Sequence, residues 1–263
     1  LRDQYLDHPM LRFCVAPHGP YMVSDRSFEK IAAQTAETMT PLHIHIHETA
    51  AEITQSIEKY GVRPLARLSH FGLLSPSFLG VHAVHLLPEE IELLARHACH
   101  IAHCPTSNLK LASGIAPVAQ MLEKHINIGL GTDGAASNNK LDMFGEIRLA
   151  ALLAKGLNQA DSLPAYQALE MATINAACAL GWQKEIGSLA IGKLADIAAV
   201  DLSEIETAPG YDVAAQLVYA AGRENVSHVW VNGELVLEKR KLIHCDTADL
   251  TARAHSWQKI LKP

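Results

Sequence analysis

Short apolar runs alternate with longer amphipathic stretches along this chain. Leu11 to Ala16 is an apolar run stopped by Pro17, Arg26 to Thr38 has helical composition, and Leu42 to Glu48 alternates apolar and polar positions as a strand does. Ala50 to Tyr60 reads as a helix closed by Gly61. A strand around Gly80 follows, and Pro88 to Ala98 opens as helices do, with proline ahead of acidic residues. His100 to Pro105 and Asn127 to Gly134 repeat the short strand pattern. Strand then helix, several times over, predicts a parallel sheet with helical crossovers. Leu141 to Gly156 and Pro164 to Gly181 read as helices rich in alanine and leucine, with Met143, Phe144 and Leu149 as helix core. From Gly187 the pattern changes to short apolar strands, and Asn232-Gly233 between apolar residues predicts a hairpin.

The polar residues inside these runs change the picture. His43, His45 and His47 alternate with Ile44 and Ile46, so a regular strand puts three imidazoles on one face. Packing alone would not choose them, and burying unpartnered rings costs free energy, whereas a neutral imidazole is a common metal ligand. Two more strand ends deliver similar groups: His82 and His85 after Gly80, and Asp133 after Gly131-Thr132. Aspartate is disfavoured in strands, which favours a chemical role for Asp133. His103, before Cys104 and Pro105, marks a fourth strand end. In barrels of parallel strands, functional groups collect at the C-terminal ends of the strands, where all these clusters fall. Glu48 has the opposite strand parity from His45, so regular pairing must stop by about His47 for Glu48 to face the same pocket. His43 and His47 are then supporting groups rather than ligands.

Composition narrows the class. The 263 residues are 49% hydrophobic with a net charge of −6, enough to bury a sizeable core and unfavourable for nucleic acid as main partner. No apolar run reaches membrane-spanning length and no signal peptide is evident. Five cysteines, odd in number and without a paired motif, fit a reducing cytoplasmic setting, with Cys104 as a buried thiol.

Four runs together carry a family resemblance. These are His45-Ile46-His47-Glu48-Thr49, His82-Ala83-Val84-His85-Leu86, His103-Cys104-Pro105-Thr106-Ser107-Asn108-Leu109-Lys110-Leu111 and Gly131-Thr132-Asp133-Gly134-Ala135-Ala136-Ser137-Asn138-Asn139. They closely resemble the amidohydrolase superfamily, in its 5-methylthioadenosine/S-adenosylhomocysteine deaminase branch. The resemblance implies a (β/α)8 TIM-type barrel of which residues 1–186 supply the later strands and helices, followed over 187–263 by part of a small β-sandwich domain. It also implies a metal-dependent hydrolytic deaminase of adenosine-type nucleosides, with one divalent ion, zinc above all. Ligand type alone admits iron, nickel or manganese as well. The second ion of two-metal members is bridged by a lysine, and Phe13 to His18 has none.

By the same resemblance His45 and Asp133 are metal ligands, Glu48 is the proton shuttle, and His82 orients or polarises the attacking water. His18 touches the nucleoside, and Ser137 is a weaker candidate for substrate contact. His85 and His103 are structural. A bound ion lowers the pKa of its water to about 7. Asp133 then takes a proton from that water, and Glu48 protonates a purine ring nitrogen as the carbon bearing the amino group is attacked; ammonia leaves. The expected partner is a small purine nucleoside, with no nucleic acid or membrane, in a homo-oligomer.

One departure qualifies this. The family's first strand carries a His-x-His pair, and the motif order here begins just before the fourth strand, whereas a whole barrel needs about 250 residues. Strands one to three are therefore expected to lie outside this chain, in the same or another polypeptide. Alternatives are a guanine deaminase, a chlorotriazine hydrolase, or a non-catalytic module for binding or assembly.

Overall fold

The structure, a computed structural model, describes residues 2–261. Four parallel strands form one sheet in the order β1 (Leu42–Ile46), β2 (Phe78–His82), β3 (His100–His103) and β4 (Asn127–Leu130). Helices α1 (Asp25–Thr38), α2 (Ala50–Tyr60), α3 (Pro64–His70), α4 (Pro88–Arg96), α5 (Pro105–Lys110) and α6 (Val118–Glu123) precede, separate or follow these strands. Beyond them come α7 (Met143–Leu157), α8 (Ala165–Met171) and α9 (Ile174–Ala179). A second, antiparallel sheet holds β5 (Ile197–Val200), β6 (Val226–Val231), β7 (Glu234–Glu238) and β8 (Lys241–Leu242), with α10 (Val213–Tyr219) between β5 and β6 and α11 (Thr247–Ile260) at the end.

The parallel sheet is in register, so rows of side chains cross it. Ile44, Gly80, Ile101 and Ile128 pair in sequence across the four strands, and the three isoleucines are almost wholly buried. They join Phe28 of α1 and Leu65 and Leu68 of α3 in the core. Gly80 has no room for a side chain, since a Cβ there would lie 2.8 Å from Ile46 Cγ2. The other face carries the row His43, Leu79, His100, Asn127 and above it His45, Val81, Ala102, Gly129. Gly129 admits α9, because an added Cβ would come within 3.0 Å of Ala176 Cα.

The apolar run Leu11 to Ala16 lies beside β1 at Val15, which makes an isolated parallel bridge to Leu42 and whose carbonyl accepts the His43 N–H at 2.9 Å. Several expectations need correction. The stretch Pro164 to Gly181 is two helices, broken at Thr173 (φ −130°, ψ −98°), whose hydroxyl donates back to Leu169 O at 2.7 Å. The short helices α3 and α5, each begun by proline, had no counterpart in the periodicity. The Asn232-Gly233 hairpin joins β6 to β7 as expected, both residues having positive φ.

Candidate metal centre

Strand geometry brings the site together. His45 lies one residue before the end of β1, His82 is the last residue of β2, and Asp133 follows β4 by three residues. One ligand atom from each of His45, His82 and Asp133 lies within 4.8 Å of the others, the one such group found among the described residues. Pairing with Ile46 would put His82 on the isoleucine side of the sheet. Its φ of 74° turns it into the site instead, and Asp133 has φ 60°. Histidine and aspartate tolerate this left-handed region better than most residues.

The chemistry of the donors fits a divalent ion. His45 Nδ1 donates to the backbone carbonyl of His18 at 2.5 Å, which leaves the Nε2 lone pair free. His82 Nδ1 is 2.8 Å from Asn108 Oδ1, again freeing Nε2. Ser107 and Ser137 donate to Asp133 Oδ2 at 2.6 and 2.5 Å, so Oδ1 stays available. Burial pushes the Asp133 carboxyl up, but the two hydroxyls and the Gly134 N–H outweigh it and hold the group below its ordinary value. Burial lowers His82, against the opposing pull of Glu48 and Asn108, which favours a neutral ring with an open Nε2 lone pair. Two imidazole nitrogens and a carboxylate oxygen make a set suited to zinc. Ring partners of this kind fix tautomer and orientation, and they were the part of the site that the sequence left without assigned roles: Ser107, Asn108 and the His18 carbonyl.

Glu48 reaches the pocket, with Oε2 3.8 Å from His82 Nε2. Regular pairing stops at Ile46 and His47 has φ 52°, as the parity of Glu48 required. His47 thereby leaves the face it would share with His43 and His45. Its buried Nε2 accepts the Leu65 N–H at 3.1 Å, and its Nδ1 lies 3.5 Å from Glu90. His43 lies away from the cluster and lines an apolar groove with Cys14, Leu79 and Trp182 at the N-terminal ends of β1 and β2. His18 is exposed, its ring 4.8 Å from that of His45 and its Nε2 2.7 Å from the Tyr21 hydroxyl. Ser137, a candidate for substrate contact, donates to Asp133 Oδ2 at 2.5 Å and is buried. His85 bonds to Ser113 O at 2.8 Å, and His103 is enclosed, its burial and the nearby His82 lowering it to about 4. Cys104 is buried, its thiol pushed up to about 12 by burial first and by the carboxylates around it second.

The model of the amidohydrolase family matches residues 6–236. The 5-methylthioadenosine/S-adenosylhomocysteine deaminase of Teredinibacter turnerae is 44% identical over 262 residues, covering 99% of this chain and 59% of that protein. The crystal structure of an adenosine deaminase from Xanthomonas campestris with bound zinc superposes with a TM-score of 0.97 at 46% identity, over 98% of this chain and 59% of that one. Atrazine chlorohydrolase from Arthrobacter aurescens, complexed with zinc, gives a TM-score of 0.89 at 30% identity, over 97% and 57% of the two chains. The chain thus spans about three fifths of the length of the proteins it matches.

Proposed function

The chain belongs to the amidohydrolase family, and on that premise we propose that it carries the metal- and proton-handling side of a zinc-dependent deaminase of adenosine-type nucleosides: 5'-methylthioadenosine, S-adenosylhomocysteine and adenosine. The observation that carries the reading is the convergence of donors from His45, His82 and Asp133 within 4.8 Å, with Glu48 beside them. The deaminase names of the relatives supply the substrate class.

In this reading His45 and Asp133 hold a single zinc ion. His82 stands at the same point, its free Nε2 directed at the attacking water. Bound zinc supplies Lewis acidity and allows water to act as nucleophile near neutral pH. Asp133, which would hold the ion through Oδ1, would also receive the proton that the attacking water gives up. Glu48 would deliver its proton to the purine ring nitrogen next to the carbon under attack, which makes that carbon the better electrophile; as the adduct collapses Glu48 would take back the proton of the new hydroxyl while Asp133 passes its proton to the amino group, which leaves as ammonia. His18 offers its exposed ring to the nucleoside, while Tyr21 fixes that ring's orientation. Ser137 acts on the substrate only through Asp133, which it orients together with Ser107.

The parallel sheet is read as four strands of an eight-stranded barrel over residues 1–186, with further zinc ligands coming from other strands of such a barrel. Residues 187–263 contribute one layer of a β-sandwich. Five free thiols suit the reducing cytoplasm. The likeness to atrazine chlorohydrolase makes halide displacement the second reading.

The test is a substrate panel with the zinc-loaded protein, following ammonia release from the three nucleosides and guanine and chloride release from a chlorotriazine. Ammonia from the nucleosides, abolished by a chelator and restored by zinc, is the expected result. Turnover of guanine or the triazine alone would overturn the assignment. Replacement Glu48→Gln should lower kcat by about 100-fold or more without loss of zinc.

A further inference from the structure

Glu48 can face the pocket only because the chain reverses at His47, and the reversal is held by a side chain to which no role has yet been given. Glu52 is 4% exposed. Its Oε1 accepts the His47 N–H at 3.2 Å and its Oε2 the Glu48 N–H at 2.9 Å. Both residues lie upstream of α2, whose N-cap is Thr49. Thr49 Oγ1 in turn accepts the Glu52 N–H at 3.2 Å.

This differs from the usual capping box. There a glutamate at the third helical position bonds the N–H of the cap residue itself and completes the helix end. Glu52 occupies that third position but reaches past the cap, to the two residues that carry the chain out of β1. A helix start needs only a partly exposed cap, whereas burying a carboxylate requires partners that fully satisfy it. The other bonds at this corner hold His47 alone: Leu65 N–H to its ring, and Val84 and His85 N–H to its carbonyl at 3.1 and 3.0 Å. Among the described residues no other hydrogen bond fixes the backbone of Glu48.

We propose that Glu52 is a positioning residue for proton transfer, clamping the His47 and Glu48 amides so that the Glu48 carboxyl is aimed at the pocket. The assignment rests on the reading of Glu48 as the proton-transferring group. Glu52 itself touches neither substrate nor zinc.

The test compares E52Q, E52D, E48Q, the double variant E48Q/E52Q and T49A in the zinc-loaded full chain. E52Q turns one accepting oxygen into a donor that faces a backbone N–H, and E52D falls one methylene short. T49A removes a cap of the same helix and leaves the clamp intact. E52Q and E52D should lower kcat by about 10-fold or more, with KM and bound zinc within about two-fold of the unaltered protein. The double variant should be no slower than E48Q, because the clamp acts through Glu48 alone. T49A should keep kcat within about two-fold even where its Tm falls as far as that of E52Q. Unchanged kcat in folded E52Q and E52D, a T49A loss equal to theirs, or multiplying losses in the double variant would each overturn the proposal. If the unaltered protein releases no ammonia from any nucleoside, the deaminase reading fails. Crystals of E52Q or E52D still decide the clamp: Glu48 turned away from His82 supports it and an unmoved Glu48 refutes it.

Discussion

Each imidazole of the metal centre is usable because its far nitrogen is occupied. His45 is held by the His18 carbonyl and His82 by Asn108, while Ser107 and Ser137 engage one oxygen of Asp133. Removing such partners typically weakens metal binding by about 10- to 100-fold. S107A and S137A, which remove the two donors to Asp133, should each lower zinc affinity by about 10-fold or more, measured by competition with a chelating dye; unchanged affinity in both would mean that the Asp133 carboxylate orients itself. The candidate ligands were legible in the sequence because a histidine or aspartate at the end of an apolar run has little packing reason to be there. Their supports were not, since serine, asparagine and glutamate fill loops throughout the chain and nothing in the spacing of Glu52 or Asn108 says which amide or ring they meet. The parity of Glu48 was the exception: local geometry demanded a reversal at His47, and the backbone supplies it.

At the scale of elements, the row Ile44, Gly80, Ile101 and Ile128 joins the four parallel strands. The missing side chain at Gly80 is what lets Ile46, Phe78 and Ile101 meet over β2. Gly80→Val should overpack this point and cost about 1–3 kcal/mol. Ile101→Ala leaves a hole in the same layer and should cost about 2–5 kcal/mol. Urea denaturation of both variants checks these figures; a cost below about 0.5 kcal/mol in either would mean that the layer yields more readily than its register suggests. Strands of this kind read clearly from the sequence, because apolar residues recur along each of them and a histidine or aspartate stands at or just past its end. Helices of six or seven residues, such as α3 and α5, are too short to complete a periodic pattern. The break at Thr173 was equally hidden, since it depends on a hydroxyl bonding back to the preceding turn.

Across the whole molecule, the turn after β1 is tied to α4 by charge. Arg63 holds Glu90 through two hydrogen bonds, of 2.8 and 2.9 Å, and reaches His85 O, while Glu90 also faces His47. Burial alone would raise Glu90, but bonds from His47 and Arg63 hold it at about 2 against an ordinary 4.5. A carboxyl lowered on folding stabilises fully above its unfolded value and loses that contribution as pH falls through its folded one. The unaltered protein should therefore lose stability between about pH 4.5 and 2, and E90Q should flatten that part of the profile in urea titrations at stepped pH; an identical slope would remove Glu90 as its source. The change from helices ending with α9 at Ala179 to antiparallel strands beginning at Ile197 was visible as a change of pattern, whereas the order of the strands in the second sheet was not. The backbone at His47, His82, Ala83 and Asp133 lies in the region that glycine enters freely. Under selection for folding alone, drift would carry such positions toward glycine. Laboratory evolution of this protein for heat tolerance is then drawn to His82 and Asp133, two of the three residues that could hold a metal ion, and a library meant to keep that site must exempt them.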